Sequence, residues 1–259
     1  MSDVLVLAYH AVSESWSDGI AVHPHALERQ MGVLLGLGYE PCTFTRCVLE
    51  PPAEKAFAVT FDDAFRSVFL HALPLLARLG IPATVFVPTA YVGGAEPLSW
   101  PGIDHWANDG ALRRELLPTS WSELQSLSDA GWEIGSHTET HPSLPALDDE
   151  HVHRELAGSR QTIESFLGKP CSSIAYPYGH FDDRVIEAAT AAGYTAACTI
   201  PTRFSGPTPL AWPRVGIYRS DGDLRFRAKV STATRRLRRS RLWEVFEGLR
   251  QLSSPGNRG

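Results

Sequence analysis

Two short polar runs carry the residue types of a metal-dependent hydrolase. Asp62 and Asp63 come directly after the apolar stretch 56–61, and His137 and His141 follow the stretch 132–136 with a spacing of four residues. One carboxylate and two imidazoles can hold a divalent metal and leave positions open for water and substrate. The second carboxylate would then be available as a base. The pattern therefore indicates metal-assisted hydrolysis.

Each run also has a simpler interpretation. Asp63 alone could cap a helix that begins at Ala64, and an isolated His-x-x-x-His pair often occurs by chance. The pair is not the zincin helix motif, because Glu139 falls at the wrong offset and a glycine and a proline flank the run. Burial of both Asp62 and Asp63 without a cation would be costly, and a metal removes that cost. The presence of both runs in one chain favours the metal site.

Three motifs in this order resemble those of a known family. They are Thr-Phe-Asp-Asp at 60–63, His-Thr-Glu-Thr-His at 137–141 and Ala-Tyr-Pro-Tyr-Gly at 175–179. They are similar to the successive motifs of the polysaccharide deacetylases, also called the NodB-homology family or carbohydrate esterase family 4. The resemblance runs from about Leu5 to about Val215. It implies a distorted (β/α) barrel that removes acetyl groups from saccharides.

The resemblance also implies a role for each motif residue. Asp62 would be the general base, and Asp63, His137 and His141 would be the metal ligands. The backbone N–H of Tyr178 would help to hold the oxyanion, although this aromatic run could also be a simple turn. Nitrogen and oxygen ligands favour Zn²⁺, and the same set would also take Co²⁺, Ni²⁺ or Fe²⁺.

The chain departs from the family pattern at three positions. Ala64 replaces the usual glycine after the aspartate pair, and Ala175 replaces the arginine that steadies the catalytic aspartate. We predict Arg214 as the replacement, the alternative being a surface arginine. No histidine follows His180 to act as the late general acid. A permuted subset of the family places that acid at the end of the first strand, which predicts His10.

The elements that must position these residues alternate between strand and helix. Buried apolar runs predict strands at 4–9, 56–61, 83–87, 132–136, 172–176, 195–200 and 211–218. Capping residues and apolar spacing predict helices at 23–38, 64–79 with an interruption at Pro74, 120–130, 148–167 and 182–192. Residues 92–119 are predicted to form a long loop with some helix over the site. Motifs at strand ends predict an α/β, (β/α)7-type distorted barrel with its active face at the C-terminal ends.

Length and composition indicate one globular domain. The chain has 259 residues, 43% apolar and 20% charged, with no run that approaches a membrane span. Four scattered cysteines are expected to be small core residues or free thiols. The first residues lack the basic start and cleavage site of a signal peptide, so we expect a cytoplasmic location. The predicted domains are a barrel at 1–224 and a basic, helical tail at 225–259.

The tail differs in charge from the rest of the chain. Residues 225–259 contain ten basic and two acidic residues, which gives +8 against −13 for the remainder. The segment 225–241 is followed by apolar residues at near-helical spacing: Leu242, Trp243, Val245, Phe246 and Leu249. Such a segment could dock on an anionic membrane, or it could pack on the barrel with a solvated basic face. No nucleic-acid partner is expected.

The function expected from these residues is removal of N-acetyl groups from an amino-sugar-containing saccharide. Two alternatives stay open at this stage. One is hydrolysis of another linear or cyclic amide on the same barrel, and the other is a non-catalytic carbohydrate-binding barrel. Since relatives with other chemistry tend to lose metal ligands and all three are present here, the deacetylase is favoured. The sugar itself is not determined by these motifs.

Overall fold

The computed structural model describes residues 2–100, 103–106, 109–200 and 207–238. Eleven strands occur in this part of the chain: β1 Asp3–Tyr9, β2 Ala11–Val12, β3 Ala21–Val22, β4 Glu40–Cys42, β5 Lys55–Phe61, β6 Ala83–Val87, β7 Glu133–Ser136, β8 Ser173–Ala175, β9 Ala196–Thr199, β10 Trp212–Pro213 and β11 Val215–Gly216. Nine of them form one parallel sheet in the order β10-β9-β8-β7-β6-β5-β1-β11, with β4 alongside β5. β2 and β3 form a separate pair.

The segment 212–216 almost closes the sheet into a barrel. β10 pairs with β9, and β11 pairs with β1 at the opposite edge of the sheet. Arg214 alone separates the two strands, where the last strand was predicted to run unbroken from 211 to 218. The short segment must turn from one edge to the other, so it can pair with each neighbour over only two residues. The predicted distorted parallel barrel is confirmed.

Helices pack against the outside of the barrel. They are α1 Pro24–Gly36, α2 Phe44–Leu49, α3 Leu73–Arg78, α4 Arg113–Leu116, α5 Trp121–Asp129, α6 Asp149–His153, α7 Ser159–Leu167, α8 Asp183–Ala191, α9 Asp223–Val230 and α10 Thr232–Arg238. Predicted caps are present at Ser120, which forms a complete capping box, and at Asp148 and Asp182. β4 and α2 were not predicted, because the three-residue strand contains a proline and carries no periodic signal.

Two helices contain a widened π turn. Residues Val68–Ala72 lead into α3, and residues Arg154–Gly158 join α6 to α7 without a break. The helix predicted over 64–79 is thus irregular directly before Pro74, which lies in the first turn of α3, where its missing N–H is tolerated. π turns occur often at functional sites.

The core has two main parts. Side chains that point into the barrel are small or sulfur-containing, with Phe44 and Phe86 filling the space between them. Larger aliphatic and aromatic side chains fill the layer between sheet and helices. All four cysteines are buried and free, as predicted. Within the described residues no helix is both long enough and apolar enough to cross a membrane.

The first part of the tail belongs to the barrel. Phe226 and Val230 of α9 are buried, and Arg235 of α10 pairs with Asp3 at 2.8 Å and donates to the Tyr39 hydroxyl at 2.8 Å. For residues 223–238 this favours the packed helix over membrane docking. The apolar residues at 242–249, on which the membrane prediction depends, lie outside the described residues.

Candidate active site

The predicted site residues lie together at the C-terminal ends of the strands. Asp62 and Asp63 follow β5, His137 follows β7, His10 follows β1 and Tyr178 lies beyond β8. These five residues and His141 line a single cavity of about 210 Å³. Because the carboxyl ends of parallel strands meet at one mouth, residues far apart in sequence converge here. The predicted active face is therefore where the structure places the motif residues.

Asp63, His137 and His141 form a buried triad. Oδ1 of Asp63 lies 3.5 Å from Nε2 of His137 and 3.4 Å from Nε2 of His141. One potential ligand atom from each residue lies within 4.8 Å of the others. Two atoms bound about 2.0–2.1 Å from a tetrahedral Zn²⁺ are about 3.4 Å apart, so these separations suit a metal. Asp63 Oδ1 is buried and has no hydrogen-bond donor in the described chain, which also fits metal ligation.

The two imidazoles are oriented in different ways. Nδ1 of His137 lies 2.7 Å from the carbonyl oxygen of Ala175, which places the proton on Nδ1 and leaves the Nε2 lone pair facing Asp63. His141 lies between two aromatic rings, stacked on Trp100 at 4.5 Å and edge-on to Tyr178 at 4.7 Å. Trp100 comes from the long loop 92–119, which was predicted to cover the site.

The electrostatics favour a neutral imidazole beside a charged carboxylate. Burial, aided by the neighbouring His137, lowers the pKa of His141 to about 4, so this ring is neutral near pH 7. Burial alone would raise the pKa of Asp63, but the surrounding imidazoles lower it below its usual range. Burial alone would lower the pKa of His137, but the contact with Asp63 raises it above its ordinary value. A neutral imidazole and an ionised carboxylate are the forms that ligate metal.

Left-handed backbone is concentrated at this site. In the described part of the chain the non-glycine residues with positive φ are Asp63 (69°), Ala64 (51°), Thr138 (67°), His141 (61°) and Tyr178 (58°). Each costs roughly 1–2 kcal/mol for an L-residue. A glycine at position 64 would adopt this conformation without that cost. Since Asp63 is itself left-handed and no helix begins at Ala64, the alternative role of Asp63 as a helix cap is wrong.

Arg214 forms a two-point ion pair with Asp62. Its Nη1 and Nη2 donate to Oδ1 and Oδ2 of Asp62, each at 2.7 Å, and Nη1 also donates to the Thr60 hydroxyl at 2.9 Å. Both side chains are almost completely buried, which excludes the surface-arginine alternative. Burial alone would raise the pKa of Asp62, but the guanidinium holds it well below its usual range. Arg214 therefore lies where a replacement for the arginine missing at Ala175 must lie.

Loss of Arg214 should be costly for stability. Replacing Arg214 with methionine leaves Asp62 buried without its partner. Because removal of one partner from a buried ion pair typically costs 3–5 kcal/mol, we expect the free energy of unfolding to decrease by about 3–5 kcal/mol. Urea denaturation measures it. Arg29→Met is the matched control, because the Arg29–Asp223 pair is exposed, and it should change stability by less than about 1 kcal/mol. An equal effect of both substitutions would contradict a special role for the buried pair.

The remaining histidines with described side chains take surface or capping positions, as predicted. His23 caps α1, His151 contacts Asp148, and His180 contacts Ser143. His71 faces Glu115 at 3.5 Å. His10 differs from them, because it lines the central cavity and its Nδ1 is buried without a protein partner in the described chain.

A parallel barrel with a buried Asp–His–His triad at its C-terminal mouth defines the class of metal-dependent barrel hydrolases. Comparison with known proteins specifies the family. Residues 50–197 match the family model for polysaccharide deacetylase. The chain belongs to the polysaccharide deacetylase family.

Individual relatives agree with this assignment. The chain is 24% identical to YxkH of Bacillus subtilis over 75% of this chain and 63% of YxkH. It is 28% identical to a chitooligosaccharide deacetylase of Sinorhizobium fredii over 61% of this chain and 60% of that protein. The structure of a polysaccharide deacetylase from Bacillus cereus is similar, with a TM-score of 0.72 and 27% identity, covering 89% of this chain and 69% of that one. The chain thus spans somewhat less than two thirds of the curated relatives named here.

Proposed function

We propose that this protein is a metal-dependent hydrolase that removes N-acetyl groups from an amino-sugar-containing saccharide. The observation that carries the proposal is the triad of Asp63, His137 and His141 in one cavity with the arginine-paired Asp62. A metal site beside an ionised carboxylate can activate water for metal-assisted amide hydrolysis. Relatives named as chitooligosaccharide and poly-β-1,6-N-acetyl-D-glucosamine N-deacetylases support the choice of substrate class.

The residues that carry the chemistry have distinct tasks in this reaction. The metal, held by the triad, would act as a Lewis acid toward the acetamido carbonyl and water. Asp62, kept ionised and oriented by Arg214, accepts the proton of the attacking water. The backbone N–H of Tyr178 donates to the carbonyl oxygen as that oxygen gains negative charge. His10 donates a proton to the departing amine nitrogen.

The donor set supports Zn²⁺ as the metal. Two imidazole nitrogens and one carboxylate oxygen are common zinc ligands in catalytic sites. The same three donors also accept Co²⁺, Ni²⁺ and Fe²⁺, so the identity of the bound metal is part of the proposal and not of the family assignment. Elemental analysis of the purified protein identifies it.

The rival functions have less support. A non-catalytic binding barrel would be expected to have lost a ligand or the base, whereas Asp62 and all three ligands meet in one cavity. A hydrolase of a different amide is less favoured because all three candidate ligands are present, and the cavity walls also bear on the choice of substrate. The apolar side chains of Ile20, Trp100 and Ile103 on these walls suit the methyl group and ring face of an acetylated sugar.

A direct assay tests the proposed reaction. Metal-loaded protein is incubated with N-acetylated chitooligosaccharides and with poly-β-1,6-N-acetylglucosamine, and both acetate and the free amine product are quantified by mass spectrometry. We expect acetate and amine in equal amounts, abolished by a chelator and restored by Zn²⁺. Metal-bound protein that releases no acetate from either substrate, nor from nucleotide-sugars or lipid-linked saccharides, would contradict the proposal.

A cytoplasmic location and membrane contact through the C-terminal segment are also proposals. The support for membrane contact is the basic composition of residues 225–259, and the location stays a prediction. Liposome flotation compares the full chain with a chain truncated after residue 238, which keeps the packed helices α9 and α10. Equal binding to anionic vesicles by both proteins would end the membrane proposal.

A further inference from the structure

Glu155 lies behind the loop 137–141 and contacts its backbone directly. Oε2 of Glu155 accepts hydrogen bonds from the backbone N–H groups of Glu139 and Thr140, each at 2.8 Å. Its Oε1 accepts a hydrogen bond from the Thr140 hydroxyl at 2.5 Å. Glu155 does not line the central cavity, so it is not placed to touch the substrate. Its contacts are with the segment that joins the two metal-ligating histidines.

The loop needs this support because its backbone is strained. Thr138 and His141 both adopt left-handed conformations, which are unfavourable for L-residues and persist only when surrounding contacts hold them. All five N–H groups of the loop are bonded. His137 donates to the carbonyl of Val87, and the N–H groups of 138 and 141 donate to the nearby hydroxyls of Ser136 and Thr138. Glu155 satisfies the remaining two.

The charge of Glu155 strengthens these contacts. Hydrogen bonds to an ionised acceptor are stronger than bonds between neutral groups. Three such bonds converge on the Glu155 carboxylate. On the opposite side of the loop, the N–H groups of Thr89 and Ala90 donate to the carbonyl oxygens of residues 138 and 139. The loop is therefore held from both sides.

A π turn places Glu155 in this position. Residues Arg154–Gly158 form the widened turn between α6 and α7, and Glu155 is its second residue. At the other end of this turn, a side chain on Gly158 would collide with the carboxylate of Glu139. The Ser159 hydroxyl, directly after the turn, lies 2.7 Å from the hydroxyl of Ser136. The π turn and the residue that follows it thus provide three points of contact with the strand end and loop that carry the histidines.

We propose that Glu155 is a positioning residue of the metal centre: its carboxylate holds the loop 137–141 in the left-handed conformation that aims His141, together with His137, at Asp63. The proposal deepens the proposed function and rests on it, because it assumes that the triad binds a metal. It assigns Glu155 no contact with substrate or with the reacting atoms. The role is therefore visible in metal affinity and in loop dynamics, both of which are measured without an activity assay.

The test compares Zn²⁺ affinity in four proteins by competition with a chromophoric chelator. Loss of a partner that orients a metal ligand typically weakens binding 10- to 100-fold, and we expect Glu155→Ala to weaken Zn²⁺ binding by about that factor. Glu155→Gln keeps an oxygen acceptor for the two N–H groups and should stay within about 5-fold of the wild type. Glu150→Ala, on the same helix with its exposed carboxylate paired with the exposed Arg154, is the matched control and should leave affinity unchanged.

Hydrogen exchange of the metal-free proteins supplies a second measurement. The amides of Glu139 and Thr140 should exchange faster in Glu155→Ala, whereas amides in the sheet should not. If Glu155→Ala is too unstable to study, Glu155→Asp, which keeps the charge but shortens the reach, should show the same two changes in smaller degree. Wild-type affinity and unchanged exchange at 139 and 140 in these variants would overturn the proposal. If instead the wild-type protein binds no metal, the proposed function fails first.

Discussion

Replacing Asp63 with alanine should remove both the metal and the activity. Asp63 Oδ1 faces both imidazoles at 3.4–3.5 Å, so its loss leaves two neutral ligands for a divalent cation. We expect about one metal ion per chain in the wild type, and almost none in Asp63→Ala, His137→Ala or His141→Ala after dialysis. Acetate release should fall to the chelated background in all three. Elemental analysis and the acetate assay measure the two effects separately.

Asp62 and His180 provide the controls for this prediction. Asp62→Asn should keep the metal but lower kcat by about 10²- to 10⁴-fold, because the general base is lost while the ligands stay. His180→Ala removes an exposed histidine beside Ser143 and should change neither metal content nor rate. Undiminished metal content after all three ligand substitutions would show that the triad is not the metal site.

Replacing His10 with alanine should lower activity by a factor that depends on the leaving group of the substrate. An amine must be protonated as its C–N bond breaks, and an imidazole in the cavity can supply that proton. We therefore expect kcat on an N-acetyl sugar to fall by about 10²- to 10⁴-fold, with the fold and the metal content retained. An activated acetate ester has a leaving group that needs no proton, so its hydrolysis should decrease much less.

Comparing the two substrates distinguishes a general acid role for His10 from a purely structural role. A histidine that only supports the cavity would affect both substrates alike when it is removed. His23→Ala is the matched control, since His23 caps α1 away from the cavity and should alter neither rate. Equal loss on the N-acetyl sugar and on the activated ester would show that His10 is not the general acid.

The sequence alone predicted the barrel, which the structure confirms, and singled out the candidate metal ligands. Buried parallel strands are continuous apolar runs, and the polar residues that interrupt them mark the strand ends where sites form. This local signal placed Asp62, Asp63 and His137 at the barrel mouth before any contact was known. Helix caps such as Ser120 are equally local, since the side chain bonds a backbone N–H three residues away.

Contacts between distant segments needed the tertiary structure. Arg214 could be proposed from the absence of an arginine at Ala175, but its pairing with Asp62 follows from the segment 212–216, which closes the barrel and turns this side chain inward. The position of Trp100 on His141 likewise depends on how the long loop folds back. No local sequence pattern predicts either the Arg214–Asp62 pair or the Trp100–His141 stacking, because each contact depends on where two remote parts of the chain meet.

The π turn at Arg154–Gly158 shows the same limit within a helix. The sequence predicted a helix over 148–167, and the structure contains one, yet one widened turn shifts which residues face the barrel. In the sequence nothing distinguishes Glu155 from any other glutamate in a helix. Only the folded chain brings its carboxylate to the backbone of residues 139 and 140. The sequence determined which residues could ligate a metal; the tertiary structure decided what holds them in place, because a strained loop is stabilised by groups from other elements.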